Sequence, residues 1–285
     1  MTSDVRTDLT VLQQEIDQID TQIHDLLMDR SRIAAEIAAS ERNLALPIRP
    51  AREAALLRRL IDRHRGHLPL ITVFRIWREM VVGCAVQRQP ITVAVSIEDA
   101  NDPLWDLARD HFGGAVTYRA TGLPNQTVRA LADGSASIGV VPWPESAPSE
   151  PWWLPLLTRD DDPLRVVAAL PALASADPTE AGALMVARHR HSKTGDDRTL
   201  LAIELAADVS RGRLRELLEG VGLQPVNFWS WDAEGNLSHT MQLFEIDDYV
   251  ANDDERLQQL SLSLGSDLIR AQSIGGFAVQ MRREG

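Results

Sequence analysis

From Leu12 onward, apolar residues recur at alternating steps of four and three: Leu12, Ile16, Ile19, Ile23, Leu26, then Ile33 and Ile37. Neither glycine nor proline interrupts residues 8–43. That spacing predicts one helix of unusual length with an apolar seam along one side. A helix of this kind cannot bury its seam alone. It needs an equally long partner, and the expected partner is the same helix of a second copy, giving a homodimer.

One member of the series is wrong. Between Leu26 and Ile33 the seam places Arg30. A guanidinium on a buried helix face is costly unless something anionic meets it. The partner is either a carboxylate of the protein or a small anionic ligand held in a helical bundle. Spacing alone does not choose between them.

After a breaker at Leu46-Pro47-Ile48-Arg49-Pro50, two more helices are expected, over residues 51–64 and 71–86. Leu56, Leu57 and Leu60 mark the inner face of the first. Val73, Ile76, Trp77, Met80 and Val81 mark that of the second. At Ile91 the period shortens, and strands alternate with helices up to about residue 141, which predicts a small α/β domain with a mainly parallel sheet. Strands are expected again over 164–170 and 183–188. From Thr199 the pattern is β-α-β-β-α-β, the ferredoxin-like order, with a hairpin turn at Glu234-Gly235-Asn236. The expected domains are therefore 1–90, all-α; 91–192, α/β; and 198–285, α+β.

Composition narrows the function. The net charge of −12 and the lack of a basic block argue against nucleic acid and membrane surfaces as partners. The single cysteine, Cys84, rules out an intrachain disulfide framework and a multi-cysteine metal site. No apolar run reaches the length of a membrane span, and the N-terminus is polar and acidic, so a cytoplasmic protein is expected. No Walker loop, dinucleotide fingerprint or serine elbow is present. His189 and His191 lie in an expected solvated linker, with no third ligand placed to make a metal site. Trp152 and Trp153, set among prolines, either floor a pocket or pack a loop. Asp160, Asp161 and Asp162 form an acidic run before Pro163 that either holds a cation or makes a solvated turn, the commoner case.

Four stretches carry a family likeness: Leu12-x-x-x-Ile16-Asp-x-Ile-Asp20, Leu26-Leu-x-x-Arg30, Pro47-Ile-Arg-Pro-x-Arg52-Glu53 and Arg75-Ile-Trp-Arg-Glu79. With them, the first 90 residues resemble the all-helical chorismate mutases. Gly139-Val-Val-Pro142 and Gly195-Asp-Asp-Arg-Thr-Leu-Leu201 give the remainder the look of a shortened prephenate-dehydratase region followed by an ACT-like domain.

The resemblance implies a substrate, chorismate or a similar dicarboxylate metabolite, and a reaction, its pericyclic rearrangement to prephenate. That reaction needs no cofactor, metal or nucleophile. It needs the folded conformer to be held and a donor aimed at the ether oxygen, where negative charge develops. By resemblance Arg30 and Arg52 hold carboxylates and Glu53 accepts a substrate hydroxyl. Other positions depart from the family. Gln13 replaces an arginine on the arm that reaches into the partner's site. Glu41 stands where a lysine meets the ether oxygen, Pro50 near an acid, Cys84 for a serine and Arg88 for a glutamine. Arg88, or Arg42 beside Glu41, is the expected replacement cation; the other reading is an Arg88–Glu41 ion pair closing an empty site. The dehydratase's Thr-Arg-Phe motif is replaced by Gly182-Ala183-Leu184, so no dehydratase activity is expected. Val209-Ser-Arg-Gly-Arg-Leu214 and Phe228-Trp-Ser-Trp231 stand where the family binds phenylalanine and do not match it. The two readings are an active mutase with a non-catalytic tail and a catalytically impaired mutase homologue acting as a regulatory or ligand-binding dimer.

Overall fold

A computed structural model describes residues 2–40, 46–99, 101–145, 150–158, 162–174, 182–206, 209–232 and 239–282. Glu41, Arg42, Asp160, Asp161 and the turn at 234–236 lie outside the described residues.

Helix α1 (Thr2–Ser40) runs unbroken for 39 residues, as the absence of glycine and proline requires. Helix α2 (Pro50–Arg63) starts on Pro50, whose missing N–H is harmless in a first turn. Helix α3 (Leu70–Val86) ends before Pro90. Then follow β1 (Thr92–Val95), α4 (Pro103–Phe112), β2 (Thr117–Ala120), α5 (Pro124–Ala132) and β3 (Ile138–Pro142). Asp102 caps α4 by accepting the Leu104 N–H at 2.9 Å. A 3-10 turn at Leu154–Leu156 leads to β4 (Leu164–Leu170), β5 (Leu173–Ala174) and β6 (Ala183–Arg188). The last elements are β7 (Asp197–Ala206), α6 (Arg211–Gly220), β8 (Pro225–Asp232), β9 (His239–Ile246), α7 (Glu255–Leu264), β10 (Leu268–Ala278) and β11 (Met281–Arg282).

The strands of both expected α/β units join one nine-stranded sheet, in the order β2-β1-β3-β6-β4-β10-β7-β9-β8. Within this sheet the parallel pairs among the described residues are β2-β1-β3 and one contact between β4 and β10; β5 and β11 pair in parallel apart from it. The expectation of a mainly parallel sheet is therefore corrected: β6 runs antiparallel to both β3 and β4. Leu170 and Ala183 face each other like hairpin ends, and only a crossover would have made those strands parallel. The second half, β10-β7-β9-β8, is antiparallel throughout and has the ferredoxin-like order, with α6 and α7 packed through Leu214, Leu218, Leu257 and Leu260.

Two faces differ from expectation. On α3 the buried residues are Phe74, Arg78, Val82 and Ala85, whereas Ile76 is exposed. The helix packs toward α4 on that side, and the arginine in the row hid it in the pattern. On α2 the buried residues are Glu53, Ala54 and Leu57, again with a charge in the row. Trp152 and Trp153 are buried in the sheet core, which settles them as loop packing. The His191 side chain, expected in a solvated linker, is only 8% exposed.

The apolar seam of α1 is uncovered within the chain. Leu12, Ile16, Ile19, Ile23 and Leu26 are all at least half exposed. Leu27, Arg30, Ala34, Ile37 and Ala38 turn inward instead, over α2 and α3.

Candidate active site

The C-terminal half of α1, the start of α2 and the end of α3 enclose a cavity of about 280 Å³. Arg30 enters it from α1, and Arg52, Glu53 and Arg59 from α2. Arg49 comes from the turn before α2, and Cys84 and Arg88 from the end of α3. Five guanidiniums thus share a small space with one carboxylate among the described lining residues. The size is near the lower end of small-molecule sites, which run to roughly 300–1,000 Å³.

Arg30 donates to Cys84 Sγ at 3.6 Å, a weak acceptor, with the cavity beside it. No ion pair between Arg30 and a carboxylate is found among the described residues. At the edge Ser31 Oγ lies 3.4 Å from Gln87 Oε1, tying α1 to α3. The local field is positive: burial lowers the Arg49 pKa from its ordinary value, and the charges of Arg52 and Arg88 lower it further. Guanidiniums crowded in this way favour a ligand with two anionic groups.

Glu53 has a second role. Its Oε2 accepts from Arg78 Nη1, while its Oε1 is buried without a partner among the described residues. Arg78 in turn donates through Nε to the His111 carbonyl at the end of α4, at 2.9 Å. Two neighbouring contacts dock α3 on the same end: Arg75 to Asp110 at 2.6 Å, and the Gly114 N–H to Glu79 Oε1 at 2.9 Å. One oxygen of Glu53 is thus fixed by Arg78 of α3, itself anchored on α4, and the other has no partner among the described residues.

The structure brings together Arg30, Arg52, Glu53, Arg88 and Cys84 of the residues named from sequence. Gln13 is exposed on the first half of α1, outside the cavity. Glu41 and Arg42 lie outside the described residues, so the Arg88–Glu41 pair does too. Arg49, Arg59 and Arg78 were not singled out. Arg49 and Arg59 stand in the same basic stretch as Arg52, and charge density there was the available signal. Among the described residues no group of three or more His, Cys, Asp or Glu is placed to hold a metal. No helix among them is long and apolar enough to cross a membrane.

These helices and their arginine-lined cavity fall in a recognised class: residues 12–89, which include every cavity residue named above, match the chorismate mutase type II family. The chain carries a domain of that family at its N-terminal end. It is also similar to a bifunctional chorismate mutase/prephenate dehydratase of Stutzerimonas stutzeri, 29% identical over 140 residues, 47% of this chain and 38% of the relative. A protein of the same description from Neisseria gonorrhoeae is 39% identical over 79 residues, 28% of this chain and 22% of the relative. Both matches span well under half of the relative's length. Among solved structures, a prephenate dehydratase from Streptococcus mutans is similar with a TM-score of 0.47 and 14% identity, covering 68% of this chain and 100% of that one.

Proposed function

We propose that the N-terminal domain is a chorismate mutase, converting chorismate to prephenate in aromatic amino-acid biosynthesis. The observation that carries this reading is the cavity itself, in which five arginines face one half-engaged carboxylate within the family-matched segment. Arg30 and Arg52 take the two substrate carboxylates as bidentate forks. The free Oε1 of Glu53 accepts the substrate hydroxyl. Arg88 supplies the cation to the ether oxygen, the place where charge grows in the transition state. No proton moves in the reaction, so no group needs to act as acid or base.

The exposed seam of α1 packs against that of a second copy, and this dimer brings Gln13 to the partner's cavity. A neutral amide there forgoes the charge of an arginine and gives a weaker grip on one carboxylate. The sheet that follows is a dehydratase-like region without catalysis, joined to an ACT-like regulatory part. Gly182 and Ala183 stand where a hydroxyl and a cation would be needed, and a Cβ on Gly182 would lie 2.7 Å from Trp143 Nε1. Around Arg211, Gly212 and Phe228, where an ACT-like effector would sit, there is a cavity of about 240 Å³.

Exposed, neutral Gln13 favours a second reading: a ligand-binding dimer that has lost turnover. Chorismate disappearance with the purified chain separates the two. Mutase activity that falls by roughly 100-fold in Arg30→Ala and in Arg88→Gln supports the assigned roles. An inactive parent whose melting temperature chorismate does not shift removes both readings of the cavity; an inactive parent that chorismate still stabilises leaves the binding dimer.

A further inference from the structure

The two halves of the sheet meet at one register position, Gly275 of β10 opposite Val166 of β4. Beside that junction opens a cavity of about 630 Å³, more than twice the volume of the mutase cavity and on separate elements. Its walls come from four stretches distant in sequence. They include Arg165, Arg190, His191, Asn252, Arg270 and Gln272. Asp253 is the one acid among the described lining residues.

The polar groups here are held in place. Arg165 donates to the carbonyls of Leu156 and Leu164 at 2.7 and 2.8 Å. Arg270 donates to Leu157 O at 3.3 Å and pairs with Glu204 at 3.0 Å. Asn252 Oδ1 accepts the Ser273 N–H at 2.7 Å, which leaves its amide NH2 as a donor. Gln272 Nε2 donates to Thr158 O at 2.7 Å, leaving Oε1 as an acceptor.

His191 is the unexplained member. It is more than nine-tenths buried, and neither ring nitrogen has a hydrogen-bond partner among the described residues. Asp197 lies 3.8 Å away but is already engaged by the N–H groups of Thr194 and Gly195 and by the Thr194 hydroxyl. Burial lowers the His191 pKa to about 4, so the ring is neutral and offers one donor and one acceptor. A buried imidazole with both nitrogens idle is costly unless something in the cavity meets it.

From this geometry we infer that the junction cavity is a second ligand site, for a small hydroxylated organic anion. The guanidiniums supply the attraction for a carboxylate or phosphate. His191, Asn252 and Gln272 supply the donors and acceptors that hydroxyl groups require. Because the site touches both β4 and β10, its occupant braces the two halves of the sheet against each other.

The full chain titrated with malate and with inorganic phosphate tests this, against sodium chloride at matched ionic strength. Calorimetry should show saturable binding of at least one probe, and the two arms tell carboxylate from phosphate recognition. The affinity should fall at least tenfold in Asn252→Ala and in His191→Leu and persist in Arg30→Ala, which disables only the mutase cavity. In the unaltered chain the His191 ring resonances should shift with the same saturation curve. Binding no better than chloride, or binding lost in Arg30→Ala but kept in the other two variants, overturns the site. This outcome does not depend on whether the chain turns over chorismate.

Discussion

Arg78 grips Glu53 by one carboxylate oxygen, and the other has no partner among the described residues. Both side chains are at least nine-tenths buried, and the guanidinium is anchored from behind by the His111 carbonyl of α4. The arginine-lined cavity therefore takes part of its geometry from α4. A buried pair of this sort is weak as a source of stability but costly to break, because the survivor is left charged and unpaired.

Arg78→Met should destabilise the chain by about 3–5 kcal/mol. The double variant Arg78→Met/Glu53→Leu should recover much of that loss, since neither partner is then left charged and unpaired. Denaturant unfolding of the four proteins measures the coupling. Simple additivity of the two single losses would show that the pair is not coupled.

The α1 seam predicts an obligate assembly. Ile16→Glu/Ile23→Glu places charges where Ile16 is 57% and Ile23 is 50% exposed in the single chain. In a monomer such a change is nearly silent. In a dimer it buries four carboxylates across one interface. Sedimentation should show the parent as a dimer and the variant as a monomer; two identical profiles would refute the helix pairing.

Acid should weaken the fold before most carboxylates titrate. Burial holds the His191 pKa down at about 4, and burial followed by the Arg78 charge holds His111 well below its ordinary 6.5. Their stabilisation is complete above the unfolded value and is lost as pH falls, because the unfolded chain takes up protons that the native chain refuses. Below about pH 6.5 each histidine contributes a loss near 1.4 kcal/mol per pH unit, continuing for His191 to about pH 4. His189, also lowered by burial, adds to the slope, so His191→Gln should reduce the histidine slope between about pH 6 and 5 without abolishing it, as read from denaturant midpoints.

Gly275 should be the least replaceable glycine of the sheet junction. Its φ is +114°, and a Cβ there would lie 2.1 Å from the Val166 carbonyl oxygen. Gly222 also has positive φ, +82°, but meets nothing within 4 Å. Gly222→Ala should cost about 1–2 kcal/mol from backbone strain alone. Gly275→Ala should cost clearly more and loosen the β4–β10 contact, which hydrogen exchange of β10 reports. Equal costs would mean that the junction yields freely.

Much of the architecture was already legible in local pattern. The spacing from Leu12 to Ile37 and the lack of breakers dictate α1, and Pro50 and Pro90 bound α2 and α3. The β-α-β-β-α-β alternation after Thr199 leads to the β10-β7-β9-β8 order. These are properties of a few turns or one strand, and local spacing encodes them. Arg30 stood out for the same reason, as one wrong residue in a regular row.

Convergence was decided elsewhere. Arg49 and Arg59 join the cavity only because α2 lies across α1 and α3. The face of α3 that holds Arg78 is buried only because α4 ends against it. His191 looked like loop and became interior because β10 and the 249–253 segment close over it. Sequence spacing orders residues along one element, so it specified the long helix and its odd arginine. Which charged and polar groups meet across elements depends on contacts between segments more than a hundred residues apart, and only the packed chain sets those.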